Sequence, residues 1–212
     1  TSMIQLQREV ADVFKETFGD DALSLMAISG DLTTNGTAAE GECIQDIAEI
    51  AGETPIAAVT GNHESDVSVD QMKDAGMTVL DGSAELGGLQ VLGEGDPARS
   101  ELFGATTLRG DRTQNDVGED LYQQASDARA DVVLVHEAYA AEAFVDVTDT
   151  VEFLDQRGSN TTPYDDGIRD LPAGALFYGH WHRDIEPRVV WNSDGSWTLV
   201  MELGTSGGAI DT

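Results

Sequence analysis

One cysteine, two lysines, few aromatic residues and no long apolar run set the first bounds on this chain of 212 residues. The lone Cys43 excludes an internal disulfide framework and any zinc site built from cysteines. It stands in an apolar-periodic stretch, 39–51, where buried packing is its expected role. No run reaches the ~18 apolar residues of a membrane-spanning helix, and no charged-then-apolar leader opens the chain. Thr1 is not a natural start, so an upstream leader or membrane anchor stays open, and with it the location. Basic residues are scarce: 11 Lys and Arg stand against 40 Asp and Glu, a formal net charge of -29. The only lysines are Lys15 and Lys73. The acids are spread along the whole chain, so the entire surface is acidic. A phosphate backbone would be repelled almost everywhere, and nucleic acid is not an expected partner. Such a surface suits high salt, where the Debye length falls to about 3 Å at 1 M. It equally suits a merely acidic protein.

Short dense runs of Val, Ile, Leu, Met and Ala alternate with polar stretches, and the chain is long enough to bury a substantial core. Met3, Leu6, Val10, Val13, Phe14 and Phe18 fall near one face of a helix over 3–18. Further helices are predicted over 37–51, 66–75 and 113–129, buried strands over 23–29 and 56–60, and further strands over 78–80 and 131–135. The Gly-rich stretch 85–107 reads as antiparallel strands. The polar stretch 140–172 reads as loop, with 158–163 as its flexible part. Strands at 175–178, 185–191 and 197–203 close the chain. Strand–helix alternation followed by a strand-rich half predicts a single-domain layered α/β sandwich with a mixed sheet.

The chemistry gathers at the strand ends. Three apolar runs finish in glycine and then a metal-capable residue: Gly30 before Asp31, Gly61 before Asn62 and His63, Gly179 before His180. A fourth, Val132 to Val135, leads straight to His136. In open α/β sheets ligands collect outside the carboxyl ends of strands. The chain's four histidines, His63, His136, His180 and His182, all lie at or just past such ends. A lone histidine there is usually an ordinary hydrogen-bonded residue, but four together point to a site. His180 and His182 flank Trp181, so in extended chain both imidazoles share a side. Two imidazoles with an Asp and an Asn amide form a mixed N/O set suited to Mn, Fe or Zn rather than Mg alone.

Gly30-Asp31, Gly61-Asn62-His63-Glu64, the strand-end His136 and Gly179-His180-Trp181-His182 resemble four of the five signature motifs of calcineurin-like metallophosphoesterases. They occur in that family's order and span nearly the whole chain. The resemblance implies an α/β/β/α sandwich with mixed sheets and hydrolysis of a small phosphoester by a two-metal-activated hydroxide. In that scheme Asp31 bridges two divalent ions. Asn62, His136 and His180 complete one site, and His182 serves the other. His63 acts near the scissile phosphate, oriented by Glu64. Two ions about 3.5–4 Å apart would clamp the phosphoryl oxygens, and their charge explains how so acidic a chain binds a phosphate ester.

The family's first motif, Asp-x-His, occurs nowhere in the sequence. The expectation is that the first strand and its motif precede Thr1, and that residues 1–212 alone turn over little substrate. The alternative reading is a non-catalytic metal-binding or sensory module that keeps the fold. The loop Gly30 to Thr33, the Gly95-Asp96-Pro97 turn and the closing Gly204 to Gly208 are similar to a prokaryotic subgroup tethered through N-terminal membrane helices and facing outward. Leu32-Thr33-Thr34-Asn35-Gly36 after Asp31, in place of Val-Asp-Arg-Gly, speaks against a protein phosphatase.

Overall fold

A computed structural model describes residues 3–19, 22–100, 104–147, 169–183 and 185–204. Helix α1 (Met3–Phe18) precedes β1 (Met26–Ile28). A short 3-10 turn (Ala38–Glu40) runs into α2 (Gly41–Ala51), followed by β2 (Ile56–Ala58), α3 (Asp66–Asp74) and β3 (Thr78–Val79). A β4 (Gly82–Leu86) and β5 (Leu89–Gly93) hairpin and two short strands, β6 (Ala98–Arg99) and β7 (Thr107–Leu108), lead to α4 (Gln114–Ala128). Then come β8 (Val132–Leu134), α5 (Ala138–Val145), β9 (Ala175–Tyr178), β10 (Arg188–Trp191) and β11 (Trp197–Glu202).

Two sheets stack. Strands β1-β2-β3 form a parallel sheet, and β10-β11-β9-β8-β5-β4 form a mixed one, parallel through its centre and antiparallel at both margins. The alternation of strand side chains divides the core into three layers. Ile56 and Ala58 of β2 face Ile44, Ile47 and Ile50 of α2 and Met72 of α3. Ala57 and Val59 turn the other way and meet Leu80, Val91 and Leu134 between the sheets. Val133 and Val135, beside β9 Leu176 and Tyr178, pack under Val117, Leu121 and Phe144 of α4 and α5. The order is helix, sheet, sheet, helix, the α/β/β/α arrangement expected from the motifs.

Three expectations are corrected. The stretch predicted as loop from 140 begins inside α5, whose Ala-rich sequence favours helix. This helix is buried on nearly every side, so it lacks the amphipathic period that identifies surface helices. Gly118 of α4 admits it closely, because a Cβ there would collide with the Ala140 carbonyl and lie 2.8 Å from the Ala143 Cβ. Cys43 is exposed on α2, since Ile44, Ile47 and Ile50 take that helix's inward face. On α1 the inward residues are Ile4 and Ala11, while Leu6, Val10, Val13, Phe14 and Phe18 stay exposed. The expected flexible segment 158–163 lies outside the described residues, as do 205–208 of the closing glycine-rich run. Among the described residues no helix is long and apolar enough to cross a membrane.

Candidate metal centre

The loops that follow β1, β2, β8 and β9 open at one end of the two sheets, and four predicted side chains meet there. His136 Nε2 lies 3.3 Å from Asp31 Oδ2, 3.1 Å from Asn62 Oδ1 and 3.0 Å from His180 Nδ1. His180 Nδ1 stands 3.9 Å from the same Asp31 oxygen. Ligand atoms of Asp31, His136 and His180 all fall within 4.8 Å of one another. Such proximity demands that the chains approach closely, and two glycines permit it. A Cβ on Gly30, at φ +96°, would sit 2.6 Å from the Gly61 nitrogen and from His136 Nδ1. One on Gly61 would sit 2.7 Å from His136 Cε1.

Each ligand is oriented by the chain around it. His136 Nδ1 donates to the Ser29 carbonyl at 2.7 Å, which leaves Nε2 for the cluster. Asn62 donates its amide N–H to Ser100 Oγ at 2.5 Å, so its oxygen is turned inward. That oxygen faces only acceptors, an arrangement a cation makes favourable. The opposite rotamer would place the NH2 group 3.1 to 3.3 Å from the same atoms of Asp31, His136 and His180. One carboxylate oxygen, one amide oxygen and two imidazole nitrogens fit a divalent ion of the Mn, Fe or Zn kind. Asp31 and His180 hold left-handed backbone, φ 53° and 74°, a conformation costly for residues with a Cβ and common where function sets the geometry.

The electrostatics match a cation site. Burial alone would raise the Asp31 carboxyl, but His136 and the backbone N–H of His63 outweigh it and hold the group below the usual carboxylate range. Burial disfavours charge on His136 too, yet the Asp31 carboxylate wins and its pKa rises. An ion and a proton therefore compete for His136 Nε2. His180 is pushed down by burial and by His136, which keeps it neutral and ready to ligate.

His63 and His182 are placed differently. His63 is half-buried beside the cluster, its Nδ1 2.7 Å from the Thr34 carbonyl and its backbone N–H donating to Asp31 Oδ1 at 3.0 Å. His182 is exposed, also at positive φ, and is not in the group of close ligand atoms among the described residues.

Glu64, expected to orient His63, does something else. Wholly buried, it accepts from the backbone N–H groups of Asp31 (2.8 Å), Thr33 (2.9 Å) and Gly61 (2.6 Å) and from Thr33 Oγ1 (3.1 Å). It ties the loop after β1 to the loop after β2; the Thr34 carbonyl is what orients His63. Sequence reasoning also missed Arg99, which donates to the carbonyls of Asn35, Asn62 and His63, and Glu137, buried beside His180. Arg99 has no signal in its own neighbourhood. Glu137 had one: a carboxylate between a strand-end histidine and an Ala-rich run stands at a helix N-terminus.

Comparison with known families adds an independent finding: the calcineurin-like phosphoesterase model matches residues 5–184, which include every residue of this centre. No curated protein matches the chain.

Proposed function

The chain belongs to the calcineurin-like phosphoesterase family, and on that premise we propose that it hydrolyses small phosphoesters, diesters or monoesters, at a divalent-metal centre. The observation that carries this reading is the convergence of Asp31, Asn62, His136 and His180 on one point. Those four would hold one ion. Asp31 with His182 would contribute to a second. When bound, such ions lower the pKa of a coordinated water and offset charge on the phosphoryl oxygens. The residues supply the rest. Asp31 and Asn62 carry oxygen ligands on loops locked by Glu64 and Arg99. His63, held through Nδ1 by the Thr34 carbonyl, would deliver a proton from Nε2 to the leaving oxygen. A small ester fits the charge balance better than a nucleic acid, because only the local centre opposes the field of a chain at -29.

The test is hydrolysis of bis(p-nitrophenyl) phosphate and p-nitrophenyl phosphate by the full-length protein with Mn2+ or Zn2+. Chelation and His136→Ala should each lower the rate more than ~100-fold, beyond the 10–100-fold typical of residues that merely back a ligand. His63→Ala should lower turnover about 10²–10⁴-fold with the ion still bound. Hydrolysis that survives chelation sinks the proposal. One observation favours a second reading: His182 stands outside the close group, as in a single-ion module without catalysis. Ion binding without turnover of either ester would select that module.

A further inference from the structure

We infer that Arg99 positions His63 by tying together the two chain segments that hold it; the consequence for turnover rests on the phosphoesterase reading above. The His63 ring is held through Nδ1 by the Thr34 carbonyl at 2.7 Å, 29 residues back along the chain, while its own main chain belongs to the loop after β2. The ring is therefore only as well placed as those two segments are relative to each other. Arg99 spans them. Its Nη1 donates to the His63 carbonyl at 2.6 Å and to the Asn62 carbonyl at 3.2 Å. Its Nη2 donates to the carbonyl of Asn35, the neighbour of Thr34, at 3.0 Å.

The surrounding contacts leave this task to Arg99. Glu40 takes the N–H groups of Thr34, Asn35 and Thr37, but those lie within its own turn. Ser65 Oγ donates to the Gly36 carbonyl, further along both segments. The segments run so close there that a Cβ on Gly36 would sit 2.6 Å from the Ser65 nitrogen and 2.8 Å from the His63 oxygen. Asn62 has a second support, the backbone N–H of Ser100 at 2.8 Å and the Ser100 hydroxyl. The carbonyls of His63 and Asn35 have no other donor among the described residues.

The residue type fits the role. Basic side chains are scarce in this chain, yet Arg99 directs its fork at three carbonyls and makes no ion pair among the described residues. A lysine ammonium would keep the charge, but as a point on a flexible stem it cannot reproduce that fork. Arg109, from the other strand of the β6–β7 hairpin, donates to the Glu64 carbonyl. The hairpin thus clasps three successive carbonyls of the His63 loop.

Arg99→Lys separates geometry from charge. Phenolate is a poorer leaving group than p-nitrophenolate, so phenyl esters depend more on a well-placed proton donor. In the full-length protein with Mn2+, turnover of phenyl or diphenyl phosphate should fall on the order of 10²-fold. The p-nitrophenyl esters should lose distinctly less, with KM near wild type and Co2+ affinity unchanged. In the His63→Ala background, Arg99→Lys should add no further loss. An equal further loss there overturns the inference. So does Co2+ affinity that falls in step with turnover, because Arg99 would then serve Asn62. The crystal structure of chelator-treated Arg99→Lys gives a reading free of turnover: the Thr34 carbonyl should stand beyond hydrogen-bond distance of His63 Nδ1, and an intact bond overturns the inference. A wild type that hydrolyses none of these esters would defeat the phosphoesterase reading alone, since the crystal structure still decides the role of Arg99.

Discussion

The two halves of the centre are built by different means. The half on the three-stranded sheet presents Asp31, Asn62 and His63 on loops, and a buried carboxylate, Glu64, gathers the backbone of those loops. The half on the six-stranded sheet presents His136 and His180 directly from strand ends that already share a hydrogen-bonded ladder. There Glu137 is buried with Oε1 3.8 Å from His180 Nε2, and a helix layer presses close from outside. Oxygen ligands on loops need their main chain anchored.

Glu64→Ala should break the first half outright. It strands three backbone donors and the Thr33 hydroxyl in a buried place, and bonds to charged groups are worth about 1.5–3 kcal/mol each. Even with partial relaxation, denaturant unfolding should show a loss on the order of 3 kcal/mol or more. A change as small as that of an exposed substitution would dissolve the contrast, since the loops would then stand without their anchor.

Gly118→Ala probes the helix layer behind the second half. In an exposed helix this change stabilises by roughly 1 kcal/mol. Here the new methyl meets the Ala140 carbonyl and Ala143, so the sign should reverse, with a loss of about 1–3 kcal/mol from overpacking. Stabilisation in a thermal melt would show that α4 and α5 are not closely packed.

Asp96 lies between the halves and gives the smallest effect. It is 6% exposed, accepts from Ala98 and Gln114 through Oδ1, and leaves Oδ2 with no partner among the described residues. Burial raises its pKa above 3.8, a shift that His136 and His180 moderate and Glu137 reinforces. A raised folded-state pKa means the folded chain binds the proton more tightly than the unfolded one. Stability from this group is therefore full below 3.8 and falls as pH climbs through the folded value. Asp96→Asn mimics the protonated form. With metal chelated, it should be slightly more stable than wild type at pH 7, and the difference should vanish toward pH 3.5. A difference that grows on acidification would reverse the assignment.

Much of this was legible in sequence because it is periodic or positional. The 3.6-residue period marked α1 and α2, and apolar runs ending at glycine marked the strands carrying Asp31, Asn62 and His180. What was illegible depends on partners far along the chain. The burial of α5 on nearly every side follows from Gly118 and the sheet beneath it, so its sequence shows no polar face to announce a helix. The apolar stripe of α1 is real, yet which face meets the core was decided by α2 and the cluster around it, which took Ile4 and Ala11. Glu64 sits in the right motif, but its acceptors' partners lie 31 to 33 residues away at Asp31 and Thr33 as well as nearby at Gly61.

The sequence by itself determined the candidate ligand types, their order and their delivery from strand ends, because a strand terminus and a glycine act locally on the residue that follows. Only the tertiary structure decided which of those residues share one point and which stands apart. It also decided that the Glu64 carboxylate gathers main chain from two loops and that Glu137 is buried beside His180. Convergence depends on the stacking of two sheets and the close approach of Gly30, Gly61 and His136, distances that no local pattern encodes.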